Sequence, residues 1–184
     1  MTQNINNESY SEIIRLLYLY IARRIKLPQI LSILAILTFG LGDALTGAIM
    51  MNIRGYGGEA NLIVAYIYAS LGLGGLIAFK IMVTFILLFV AFIMYQRSGG
   101  KSYWMINGFI MSIAILGAMA TLANIQAALG LTFVNPINII FIFFGVLVIL
   151  VEAGDILDNR MAQTRLAEVS NTKYPWQNYS VMTK

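Results

Sequence analysis

Four stretches of this chain are apolar for long enough to cross a bilayer. They are residues 30–53, 73–95, 103–125 and 136–154, each compatible with the roughly 20 helical residues that span about 30 Å of hydrocarbon. Around the second stretch the apolar region begins earlier, at Leu62, and a run from there to Tyr95 is too long for one comfortable crossing. Gly72, Gly74 and Gly75 interrupt it, so residues 61–70 are predicted to form a short interfacial or re-entrant helix leading into span two. The fourth span opens at Asn135-Pro136, where a proline in the first helical turn costs no hydrogen bond. Its helix is expected to run on past the membrane toward Val169, because no strong stop signal comes before Ser170-Asn171.

The pattern before the first span is different. Ser9-Tyr10-Ser11-Glu12 reads as a capping box, and helical stepping from it places Ile13, Ile14, Leu16, Leu17, Tyr18, Tyr20, Ile21 and Ile25 on one arc, with Glu12, Arg15, Arg23 and Lys26 opposite. Leu19 and Arg24 break the pattern. A basic amphipathic helix of this kind is expected to lie in the membrane interface, with Pro28 turning the chain into the bilayer. With no long uncharged apolar run in its first 29 residues, the chain is not expected to carry a cleavable signal peptide. At the other end, Tyr174-Pro175-Trp176-Gln177-Asn178-Tyr179 is too aromatic for a plain tail and reads as an interfacial anchor or docking segment. The predicted fold is therefore all-α. It is an integral membrane four-helix bundle over 30–154, with an N-terminal amphipathic helix within 1–29 and a helical extension and aromatic tail over 155–184.

Composition agrees and narrows the chemistry. The 184 residues are 59% hydrophobic and 11% charged, with a mean hydropathy of +0.79, well above what a soluble domain carries. The absence of cysteine and histidine removes disulfides, thiol nucleophiles, histidine acid–base chemistry and the metal sites that depend on those ligands. No catalytic residue, cofactor or metal is predicted. The net charge of +4 is too small and too dispersed for a nucleic-acid surface, and suits a chain set against anionic lipid. Ten of the twelve basic residues fall on one side of the four-span topology; Arg54 lies on the other and Lys80 within a span. The positive-inside rule then predicts a multi-pass protein of the cell membrane with both termini in the cytoplasm.

Ionisable residues at membrane depth are costly, so they mark the place to look for function. Asp43 is expected roughly 13 Å, and Lys80 roughly 10 Å, below the same outer surface. Consecutive helices are neighbours, which makes an Asp43–Lys80 ion pair geometrically natural. Thr46, Glu59, Asn61 and Asn124 (with Gln126 beyond it) are expected near the same level, giving a buried polar cluster of Asp43, Thr46, Glu59, Asn61, Lys80 and Asn124. Small residues four apart, Gly40 with Ala44, Gly108 with Ser112, Ala114 with Ala118 and Gly117 with Thr121, favour close packing of spans one and three. Span four, with Phe141, Phe143 and Phe144, reads as more lipid-facing, with Glu152 and Asp155 solvated at the cytoplasmic edge.

Gly40-Leu41-Gly42-Asp43 matches the G-x-G-D string of intramembrane aspartyl proteases. Such catalysis needs two carboxylates sharing a proton. Asp155, the nearest other membrane-level aspartate, is expected roughly 17 Å away along the membrane normal, so the protease reading is disfavoured.

The order Asp43-x-x-Thr46, a turn with Gly55, Gly57 and Gly58, then Glu59-x-Asn61, a short apolar segment and Phe79-Lys80 resembles a family of small prokaryotic and archaeal multi-span membrane proteins classed as a domain of unknown function. The resemblance runs from Gly40 to Tyr95 and more loosely through span three with Asn124. Leu62 stands where that family usually has proline after the asparagine. The resemblance implies that Asp43, Thr46, Glu59, Asn61 and Lys80 belong to one constellation, and it implies no mechanism. The functional expectation is a non-catalytic accessory or assembly subunit of a larger membrane complex, with the bilayer and a membrane-protein partner or a second copy as its contacts. The alternative is a small oligomeric transporter or channel with an outer vestibule of Asp43, Glu59 and Lys80. A lipid-modifying enzyme comes third, because no nucleophile or metal set accompanies the acid and base groups.

Overall fold

The structure is a computed structural model that describes residues 26–59, 61–131 and 136–173, together with Glu12, Arg15 and Leu16. These last three are helical and exposed. The rest of the predicted N-terminal amphipathic helix and the aromatic segment at 174–179 lie outside the described residues. Four helices follow in order: α1 (Leu27–Arg54), α2 (Leu62–Ser98), α3 (Tyr103–Ala128) and α4 (Pro136–Lys173). All four are long and apolar enough to cross a membrane, and the described residues contain no strand. The protein is an all-α, multi-pass, four-helix membrane bundle.

Local chemistry sets most of the ends. At the start of α1, Pro28 occupies the first turn and the Gln29 side-chain carbonyl accepts from the Lys26 N–H at 2.8 Å. Helix α1 stops at Gly55, whose φ of 78° takes the chain into a short turn over Tyr56–Gly58. Asn61 starts α2 by accepting from the N–H groups of Ile63 and Val64 at 3.1 and 3.4 Å. Within α2, Gly72 has φ 63° and ψ −162°, a conformation that breaks the helix. It separates a ten-residue leading segment from the long crossing, at the glycine that the pattern marked.

Two features depart from a simple reading of four straight helices. Residues Ile36–Gly42 of α1 form a π-helical stretch in which the N–H of Asp43 bonds to the carbonyl of Thr38. Such wide turns admit an extra residue and reset the facing of everything beyond them. The fourth helix also runs to Lys173, past the predicted stop near Ser170. Its outer surface is exposed at Phe141, Phe144 and Ile149, yet it docks firmly on α3. The docking depends on Gly108 of α3, which lies against the backbone at Leu150, and on Gly154 of α4, which lies against the backbone of Trp104 and Met105. The lipid-facing description of span four therefore holds for one face only, because two glycines on opposite helices let the backbones touch.

Helix α3 is the hub, packing on every part of α1 and on α4. The core forms two apolar clusters, one around Leu31, Ala35, Ala91, Ile106 and Ile113, the other around Ala44, Ala48, Met51, Leu76 and Ala127. Asp43 of α1 and Lys80 of α2 sit in the chain between the members of these clusters. The closest backbone approach in the middle of the bundle is at Gly117, where a side chain would strike the backbone of Thr38 and Phe39 in the π-helical stretch.

Gly117→Val should therefore destabilise the bundle by about 1–3 kcal/mol through overpacking. Gly145→Ala, which meets open space on α4, should leave stability unchanged. Thermal unfolding of both variants in detergent checks this, and equal melting of the two would contradict the packing.

Candidate functional site

The two ionisable residues that the sequence places at membrane depth meet. Asp43 begins the last segment of α1 immediately after the wide turn and is 6% exposed. Lys80 lies in α2, eight residues beyond the Gly72 break, and its side chain is 14% exposed. The Lys80 ammonium donates to Oδ2 of Asp43, forming an ion pair between the first two spans. Its position 5.3 Å from the centre of the Phe39 ring adds a cation–π contact from α1.

Asp43 uses its other oxygen on a third helix. Asn124 of α3 donates through Nδ2 to Oδ1 of Asp43 at 2.9 Å. The same amide lies 3.3 Å from Oγ1 of Thr46 and 3.4 Å from the Asp43 carbonyl. Thr46 in turn donates to the carbonyl of Gly42 at 2.7 Å. One carboxylate thus accepts from α2 and α3 while belonging to α1, and Asp43, Thr46, Lys80 and Asn124 form one bonded cluster.

Glu59 and Asn61 behave differently. Oε1 of Glu59 accepts from the N–H of Asn61 at 2.9 Å, and Asn61 caps α2. Among the described residues neither makes a hydrogen bond to the Asp43 cluster. Both nevertheless line, with Asp43, Lys80 and Asn124, a half-open cleft of about 610 Å³ whose remaining walls are mostly apolar. Leu62, where a proline was expected, is the first residue of α2 and 82% exposed. That position tolerates proline because its N–H has no helical partner, and for the same reason it loses nothing as leucine.

Residues 34–131 match the family described as a domain of unknown function, DUF5658, and that stretch is more than half of the chain. The chain belongs to the DUF5658 family. The matched region begins within α1 and ends just after α3, so it contains Asp43, Thr46, Glu59, Asn61, Lys80 and Asn124 together. No curated protein and no solved structure matches the chain.

Outside the DUF5658 region, one carboxylate has a part that the spacing did not suggest. Asp158, on the extension of α4, is 8% exposed and accepts from the N–H groups of Trp104 and Met105, each at 3.0 Å. It caps α3 from a neighbouring helix, a task that Ser102 leaves undone with its own side chain. The sequence signal was faint: an acidic residue four positions after Gly154, where backbones touch. Asp155 and Glu152 are exposed, and Asp155 accepts from Asn159 at 2.9 Å. Asp43 is bonded to Lys80 and Asn124, and Asp158 to the start of α3, so neither shares a proton with another carboxylate. Among the described residues no group of three or more acidic side chains gathers as a metal site.

Removing one member of a buried ion pair strands the other. Asp43→Ala and Lys80→Ala should each cost about 3–5 kcal/mol, and the double variant distinctly less than their sum. Unfolding of the three variants in detergent reads this directly. Strict additivity would mean that the two side chains contribute independently.

Proposed function

We propose that this protein is a non-catalytic subunit of a larger membrane assembly, with its termini in the cytoplasm and the Asp43–Lys80–Asn124 cluster acting as a clamp that fixes the first three spans. The observation that carries this reading concerns the half of the bundle toward the Lys26 end. There the buried side chains of Thr84, Ser112 and Asn107 each donate to a carbonyl of their own helix, those of Lys80, Phe109 and Tyr103, at 2.7 Å, while Asp158 caps the start of α3. Donor groups used in this way are satisfied within their own helix and do not make a file of exchangeable sites. The residues packed together at the core of that half are apolar. A permeant ion entering beside Asp43 would meet the apolar cluster of Ala35, Ala91, Ile110 and Ile113.

The exposed sides of α2 and α4 offer long apolar faces, including Phe85, Phe89, Phe141 and Phe144, for lipid or for a partner's helices. The aromatic sequence at 174–179 supplies a candidate contact outside the bilayer. The transporter remains the second reading because the cleft joins one acidic side chain, Glu59, to a buried ion pair.

Single introduced cysteines test the orientation cleanly, since the native chain has none. Gly99→Cys should be labelled from the cytoplasmic face and Gly57→Cys from outside. The reverse pattern would invert the topology.

Affinity purification in mild detergent should recover a stoichiometric membrane partner, and deletion of residues 174–184 should weaken that association without unfolding the bundle. Reconstituted vesicles should show no ion or proton flux above empty liposomes. Flux that Asp43→Asn abolishes would replace the subunit with a transporter.

A further inference from the structure

A second cleft, of about 450 Å³, opens at the opposite end of the bundle, where α1 begins, α2 ends and α3 begins. Its mouth carries Lys26, Gln29, Gln96 and the two tyrosines Tyr95 and Tyr103. Farther along the helices the wall is mostly apolar, with Ile33, Leu88, Phe92, Ile106 and Ile110. The cleft thus grades from cationic and polar at the membrane surface to hydrocarbon within it, the same gradient that a phospholipid has from headgroup to acyl chain.

The charge is one-signed. Lys26 is the one ionic residue among those lining the cleft, and Arg97 and Lys101 are exposed at the same end. On α4 at this end, Glu152 and Asp155 are exposed and Asp158 is engaged by the start of α3. An anionic headgroup is favoured there.

One buried atom specifies more than charge. Asn107 lines this cleft and is 3% exposed, and its Nδ2 donates to the carbonyl of Tyr103 at 2.7 Å. Its Oδ1 is buried with no hydrogen-bond partner, the one such side-chain atom among the described residues. An acceptor left unpaired away from water is costly, and buried amides are normally satisfied on both sides. What is missing is a donor. A choline or methyl headgroup brings none, whereas a glycerol headgroup brings hydroxyls.

We propose that this cleft binds one anionic phospholipid through a hydroxyl-bearing headgroup, with the phosphate at Lys26, a headgroup hydroxyl donating to Oδ1 of Asn107 and an acyl chain along Ile33, Leu88 and Phe92. The site shares no residue with the Asp43 clamp and does not rest on the subunit reading. It makes the bundle selective for the lipid around it, at the surface from which the first span enters the membrane.

The test uses the full chain purified in mild detergent and titrated by native mass spectrometry with three lipids of identical acyl chains: phosphatidylglycerol, phosphatidylmethanol and phosphatidylcholine. Phosphatidylglycerol should bind as one copy per chain and roughly tenfold more tightly than phosphatidylmethanol, which has the charge without the donor, a ratio equivalent to one hydrogen bond. Phosphatidylcholine should bind more weakly than both. Lys26→Gln should weaken both anionic lipids and preserve their ratio. Asn107→Leu should erase the ratio while leaving phosphatidylmethanol binding in place. Equal binding of the two anionic lipids by the native chain, or a ratio that survives Asn107→Leu, would overturn the proposal. So would competition by free glycerol 3-phosphate, which lacks the acyl chains. Should Asn107→Leu fail to fold, the native chain's preference and the Lys26→Gln titration decide the matter.

Discussion

A charge carried into hydrocarbon must find its counter-charge inside the protein, and in this bundle one carboxylate meets that demand for three helices at once. Asp43 accepts from Lys80 of α2 and from Asn124 of α3, so the two donors fix the rotation of α2 and α3 about their axes relative to α1. Apolar packing alone does not supply such directionality in a bilayer, because lipid tails are as apolar as leucine and helices gain little by exchanging one for the other. The polar cluster selects among arrangements that van der Waals contact leaves nearly equal. It is also placed economically, between the two apolar clusters, where a misrotation of α1, α2 or α3 would break it.

Reaching that geometry requires close backbones. The π-helical stretch over Ile36–Gly42 ends at Asp43, and α3 crosses it at Gly117. The hydroxyl of Thr38 closes the crossing by sharing its one proton between the carbonyl of Leu34 in its own helix, at 2.8 Å, and that of Ala114 in α3, at 3.0 Å. Polar groups at such a crossing need partners within the protein where no water is present. Thr121, at 3.5 Å from the Thr38 carbonyl, approaches from α3 on the same side. The wide turn, the small residue opposite it and the threonines beside it thus form one unit that delivers Asp43 to its partners.

The sequence was most informative where chemistry is expensive. The four crossings follow from hydropathy and length, and the break in α2 follows from the glycines at 72–75. The meeting of Asp43 with Lys80 follows from matched depth, since two isolated charges on adjacent spans have few other solutions. Asn124 and Thr46 could be placed at the right level, but their bonding depends on helix rotation, which a wide turn resets without any composition of its own. Level and the family resemblance both group Glu59 and Asn61 with the cluster; their bonds are local, because a turn and a helix start nearby claim them first. The Gly108 and Gly154 contacts required both helices to be in register, and Asp158 became a cap only after that register existed. Tertiary geometry is the missing information in each case.

The two ends of the bundle are consequently unlike. Toward the Asp43 end, the charges neutralise one another within the protein, and the cleft beside them keeps Glu59 as its acidic edge. Toward the Lys26 end, the spans begin and finish with a cation, two glutamines and two tyrosines around an unpaired amide oxygen. An incompletely satisfied surface at the lipid boundary is where lipid identity can enter the energetics. The clamp fixes how the helices stand, and the open end then meets the headgroups in a fixed arrangement. Selectivity at Asn107 depends on that fixed arrangement, because a hydrogen bond discriminates between headgroups only when its acceptor cannot turn away to find another donor.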